Sequence, residues 1–135
     1  MLSLSFLSLA ACQKQTASAW IGDDTAGATA IIDLSGGWSV DFAEDCFTLY
    51  DCEITENADY AAMGVIVEKA AYNDYLKAAQ NSDTYKKTND YVYFENEDGA
   101  IYLRIINNEA HFVLIVPNKG IAKQIYKRTA FAKVD

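Results

Sequence analysis

Three cysteines, one histidine and nineteen carboxylates are the side chains of this 135-residue chain that could attack a bond, hold a metal or move a proton. Nucleophilic catalysis would need the imidazole of His111 beside a serine or cysteine, with an acid to orient it. His111 opens the apolar run "HFVLIV", and the chain carries no glycine-flanked serine of the kind that forms a nucleophile elbow. A zinc site would need a second histidine or a cysteine pair at ligand spacing. Glu44 and Asp45 offer two carboxyls for acid–base work on glycan strands, but adjacent side chains on extended chain point apart, and the pair reads as a solvated turn. Gly36-Gly37 lacks the Lys-Ser/Thr of a phosphate loop. Asp23-Asp24 and Asp98-Gly99 are too sparse for a calcium loop. The expectation is a protein without cofactor, metal or catalytic site.

The sulfur atoms carry more information. Cys46 and Cys52 lie in "CFTLYDC". In an oxidising compartment two such thiols are expected as a disulfide. A straight strand at ~3.3 Å per residue would separate them by about 20 Å, and a bridge tolerates less than about 7 Å. Bridging therefore requires this segment to bend back on itself.

Cys12 stands apart. Residues 2–11 contain only Leu, Ser, Phe and Ala, and polar sequence follows the cysteine at once. That run is too short to span a bilayer, which takes roughly 20 residues; it suits the apolar segment and small-residue cleavage site of an export signal. Leu9-Ala10-Ala11-Cys12 resembles the lipobox of bacterial lipoproteins. The resemblance covers about the first fifteen residues. It implies cleavage before Cys12, a diacylglycerol on its sulfur and an acylated amino terminus, with fatty chains such as palmitate. No Lys or Arg precedes the apolar run, as such signals normally require, so a start upstream of Met1 is expected. Gln13, where an Asp would favour inner-membrane retention, implies the periplasmic side of the outer membrane. Several acyl chains together anchor stably where one does not.

The formal charge of −8 is unevenly spread. From Asp23 to Glu68 there are eleven acids and no base, whereas from Lys69 onward ten bases face eight acids. An acidic front half repels nucleic acid and suits a basic protein partner, although a solvated surface alone also accounts for it.

Stepping along the chain, residues 1–11 read as the signal and residues 12–30 as a lipidated tether rich in Ala, Thr and Gly. A single globular domain is expected over 31–135. "SGGWSVDF" and "FTLYDCEI" read as short strands. Tyr60, Met63, Val67, Ala71, Tyr75 and Ala78 recur at helical spacing after an N-cap at Asn57, although Gly64 and "VIV" also fit a strand before a shorter helix. "DYVYFEN", "AIYLRIINN" and "EAHFVLIVP" read as an antiparallel meander turning at Asp98-Gly99 and Asn107-Asn108. Phe112 to Val116 is apolar on both faces and should be central, with Pro117 ending the strand. Residues 119–131 fit a strand or a basic helix. The expected class is α+β, an antiparallel sheet with one main helix packed on it.

Alternation in the meander sets Val92, Phe94, Ile101 and Leu103 on a core face. Tyr91, Tyr93, Tyr102 and Arg104 then fall on an outer or ligand-facing side, rigid rings with an arginine being what binding hot spots favour. Gly36-Gly37-Trp38 resembles the Gly-x-Trp that opens the first strand of lipocalin-like barrels. That resemblance implies Arg128 packed on Trp38 by a cation–π contact, and a small β-barrel as the alternative fold. Three functions follow as expectations: a tethered, non-enzymatic protein-binding lipoprotein of inhibitor or immunity type, a carrier with an apolar cavity lined by Trp38, Phe42 and the meander, or a cell-wall hydrolase using His111 or a carboxylate pair.

Overall fold

The computed structural model describes residues 15–107 and 109–133; Cys12 and the residues expected to form a signal lie outside the described residues. The fold is α+β, in three layers. A seven-stranded antiparallel sheet lies in the middle, with strand order β3(Ser39–Phe42), β4(Cys46–Tyr50), β5(Ala62–Val67), β9(Ala110–Val116), β8(Gly99–Ile106), β7(Val92–Asn96) and β6(Lys86–Lys87). Helix α1(Lys69–Gln80) packs on one face. A three-stranded sheet of β1(Thr16–Gly22), β2(Gly27–Asp33) and β10(Thr129–Phe131) packs on the other, together with the short helix α2(Ala122–Tyr126). The larger sheet is open, with β3 and β6 as its edges, so two layered sheets stand where the alternative reading has a small barrel.

The meander forms as its alternation requires, and β9 is the central strand, flanked by β5 and β8. Every second residue of β9 enters one of two cores. Phe112, Leu114 and Val116 face the smaller sheet, while Val113 joins Val92, Phe94, Ile101 and Leu103 under α1. The helix starts at Lys69 after an extended Glu68 and ends at Asn81. The long-helix reading capped at Asn57 is therefore corrected: the β-branched run around "GVIV" pairs as β5, and only the chain beyond it coils. Gly64 explains why. It lies opposite Phe47, and a Cβ there would sit 2.4 Å from that ring and 2.8 Å from Phe112, so the missing side chain makes room for two stacked phenylalanines whose centroids are 6.0 Å apart.

The tether reading of residues 12–30 is corrected from Thr16 onward, Cys12 to Lys14 lying outside the described residues. From Thr16 the chain forms the β1–β2 hairpin, with Ile21, Ala28, Ala30 and Ile32 fully buried. Alanine on the inner face lets the two sheets approach closely around the large rings of Phe47 and Phe112. Residues 119–131 supply both expected forms: a 3-10 turn (Lys119–Ile121), α2, and then β10 on the outer edge of β2.

The Trp38–Arg128 contact is present without a barrel. The Arg128 guanidinium carbon lies 4.3 Å from the Trp38 ring centroid, and its Nη1 donates to the carbonyls of Asp33 and Ser35, both at 2.9 Å. Arg128 thus ties the β2–β3 loop to the C-terminal segment. The space beside Trp38 and Phe42 that the carrier reading needs is occupied by Phe47, Phe112, Leu114 and Ile125, all fully buried. No helix among the described residues is long and apolar enough to cross a membrane.

Candidate functional site

Three separate turns converge at the hairpin end of the molecule. The Gly22 N–H donates to the Glu44 carbonyl at 2.9 Å, and the Ile66 N–H donates to the Asp45 carbonyl at 2.8 Å. These bonds stitch the β1–β2 tip, the β3–β4 turn and the end of β5 around a cleft of about 360 Å³. Ile66 and Val67 contribute apolar lining, and Asp23, Glu44, Asp45 and Glu68 contribute four carboxylates. No basic side chain lines it.

Asp23 is held in place by its own turn. Its Oδ1 accepts from the Ala26 N–H at 2.6 Å, the Thr25 N–H at 2.8 Å and the Thr25 hydroxyl at 3.0 Å. Those donors, Ala26 first, hold its carboxyl below the usual carboxylate range. Gly22 has φ +104, and a Cβ there would lie 2.4 Å from the Ala26 oxygen, so only glycine lets the tip close over the cleft. Among the described residues no three His, Cys, Asp or Glu side chains are grouped to hold a metal ion. What the cleft can do is accept cationic side chains: four exposed acids attract ammonium or guanidinium groups at a range set by salt.

The other sites expected from the sequence have different surroundings. His111 packs its ring edge-on to Tyr72, centroids 5.0 Å apart. Cys46 and Cys52 are free thiols, which corrects the expected disulfide. Cys46 opens β4 and Cys52 lies beyond its far end at Tyr50, so the segment does not bend back. Desolvation, then the charge of Asp45, raises the Cys46 thiol pKa above its ordinary value and leaves it a weak nucleophile.

The tyrosine face, expected on an outer or ligand-facing side, is partly covered. Tyr102 is only 4% exposed, because the C-terminal segment folds over it. Tyr126 of α2 stacks on Tyr102 with centroids 4.4 Å apart and reaches Tyr91 at 4.9 Å. Arg104 lies 5.4 Å from the Phe131 ring centroid, so it also serves that closure. Tyr91 and Tyr93 remain half-exposed at the rim. Burial is the first cause that raises both the Tyr93 and Tyr102 phenols, Tyr102 to about 12. The Tyr93 hydroxyl also donates to Glu95 Oε2 at 2.5 Å. Both phenols hold their protons more tightly in the folded chain than in the unfolded one. The stability they contribute is fully present below the ordinary tyrosine value of about 10 and is lost as pH rises through about 12. Unfolding midpoints should therefore stay level across neutral pH and fall steeply over that alkaline window. Tyrosinate absorbance should rise with unfolding; ionisation of all nine tyrosines near 10 in the intact fold would contradict this.

The acidic cleft was not visible in the sequence, since its carboxylates come from three segments more than twenty positions apart. The acid-only stretch from Asp23 to Glu68 was the available signal. No family model, curated protein or solved structure matches this chain.

Proposed function

We propose that this chain is a membrane-tethered lipoprotein acting as a non-enzymatic protein-binding module, of inhibitor or immunity type, that takes a basic partner into its acidic cleft. The observation that carries the reading is the convergence of Asp23, Glu44, Asp45 and Glu68 with no basic side chain among the lining residues. The lipobox-like Leu9-Ala10-Ala11-Cys12 supports attachment through Cys12 on the periplasmic side of the outer membrane, where the partner would be met. Charge complementarity of this kind supplies partner choice and rapid encounter.

The test compares the native chain with a Glu44→Gln, Asp45→Asn, Glu68→Gln variant, both immobilised against envelope extract at low and high salt. Asp23 is left intact because its carboxylate caps the hairpin. A basic protein retained by the native chain at low salt, released at high salt and missed by the variant is the expected outcome. Identical capture by both chains, or none by either, rejects the cleft as the binding surface. Intact mass of native material should show Cys12 acylated and the preceding residues removed.

A further inference from the structure

A second cleft, of opposite sign, lies on the tyrosine rim. Lys86 from β6, Lys119 and Lys123 from the segment after β9, and the rings of Tyr91, Tyr93 and Tyr102 enclose about 200 Å³. Lys86 comes from a position more than thirty residues before Lys119 and Lys123, in a chain of net charge −8 that repels anions elsewhere. Their ammonium groups are exposed, so each is a rotatable triple donor that meets phosphate or carboxylate as a point charge. Tyr91 and Tyr93 add rigid, half-buried aromatic surface beside them. The volume falls below the roughly 300–1,000 Å³ of sites for drug-sized ligands, which suits one ring with its charged group and not an oligomer.

One acid sits at the rim. Glu95 accepts from the Tyr93 hydroxyl and holds Lys119 at 3.9 Å. It positions the ring and occupies one of the cations until a stronger anion displaces it.

We propose that this cleft binds a single sugar-like ring carrying a phosphate or carboxylate, its anion among Lys86, Lys119 and Lys123 and its ring against Tyr91 and Tyr93. The site is distinct from the acidic cleft: Glu95 and the Lys119 turn adjoin the Val116 end of β9, whereas Val67 and the acidic cleft adjoin its His111 end.

Calorimetric titration of the full chain with glucose 1-phosphate and with glucuronate, against glucose and inorganic phosphate, tests the proposal. Saturable binding of a charged sugar, at least about tenfold tighter than either glucose or phosphate, is expected. Lys119→Gln with Lys123→Gln should weaken it by at least about tenfold without moving the unfolding midpoint, both side chains being exposed. Glu95→Gln should instead tighten it about threefold, because Lys119 is released while an acceptor for the Tyr93 hydroxyl is kept. The preference for the charged sugar over inorganic phosphate separates a built site from a general attraction between lysines and anions. Sedimentation with phosphatidylcholine vesicles containing phosphatidylinositol asks whether the same chemistry is met on a lipid headgroup. Lysine-dependent binding to the free sugars or to the vesicles supports the cleft and identifies the source. Binding to neither, or equal affinity for phosphate and sugar phosphate, overturns it.

Discussion

A chain shortened to begin at Ile31 should lose its cooperative unfolding transition. The deletion removes β1 and half of β2, and with them Ile21, Ala28 and Ala30, all fully buried. β10 pairs with β2, so it loses part of its only neighbour within the smaller sheet. Phe47 and Phe112, which share one buried cluster with the hairpin, become exposed to water on that side. Burial of each large apolar side chain contributes about 1.5–3 kcal/mol. Losing Ile21 and uncovering two phenylalanines therefore removes an amount comparable with the lower end of a domain's total stability, about 5–15 kcal/mol. Urea titration followed by near-ultraviolet circular dichroism distinguishes the possibilities. A sigmoidal transition at the native midpoint would show the hairpin to be an appendage, as the tether reading holds.

Replacement of Phe112 by alanine is expected to cost about 3–5 kcal/mol, the range for a large aromatic removed from a packed core. Phe112 is inaccessible to solvent, sits on the central strand and contacts rings from both sheets: Phe47 at 6.0 Å and Phe131 at 4.8 Å between centroids. The hole would be hard to refill. Its register partner on β5 is Ile66, while the diagonal position against which its ring packs is Gly64, which has no side chain to move in; Phe131 is fixed by pairing with Ala30. The urea midpoint should fall with little change in slope. A loss below about 1 kcal/mol would mean that the sheets close up over the gap, and that the interface is less tightly packed than its geometry indicates.

Where local chemistry and tertiary structure agree, the fold was legible. The Asp98-Gly99 turn and the doubly apolar "HFVLIV" announced the meander and its central strand. Gly99 takes φ +126 as the Val116 carbonyl approaches it. Trp38 with Arg128 was legible as a pair only through the resemblance to the Gly-x-Trp opening of lipocalin-like barrels, for which cation–π attraction supplies the physical reason. The hairpin was not legible. Ala28, Ala30 and Ile32 do alternate, but short side chains give a weak hydrophobic signal, and they acquire meaning only against the rings they approach. The inward turn of the tyrosines was hidden for a related reason. Their cover, Tyr126 and Phe131, lies in a segment whose form was ambiguous between helix and strand, so nothing local marked that face as occupied. Both clefts assemble from turns distant in sequence. Charge asymmetry hinted at the acidic one, while the lysines of the other are too scattered to stand out.

The folded hairpin also bears on reach, given the proposed lipid attachment. Four residue steps separate Cys12 from the first residue of β1, Thr16, a leash of at most ~14 Å. The same strand ends at Gly22, beside the four carboxylates, about 20 Å farther on at ~3.3 Å per residue. Anchor and acidic mouth would thus occupy opposite ends of one short stave. The body would stand close over the lipid with its mouth turned outward, intercepting visitors that pass within a few nanometres of the bilayer.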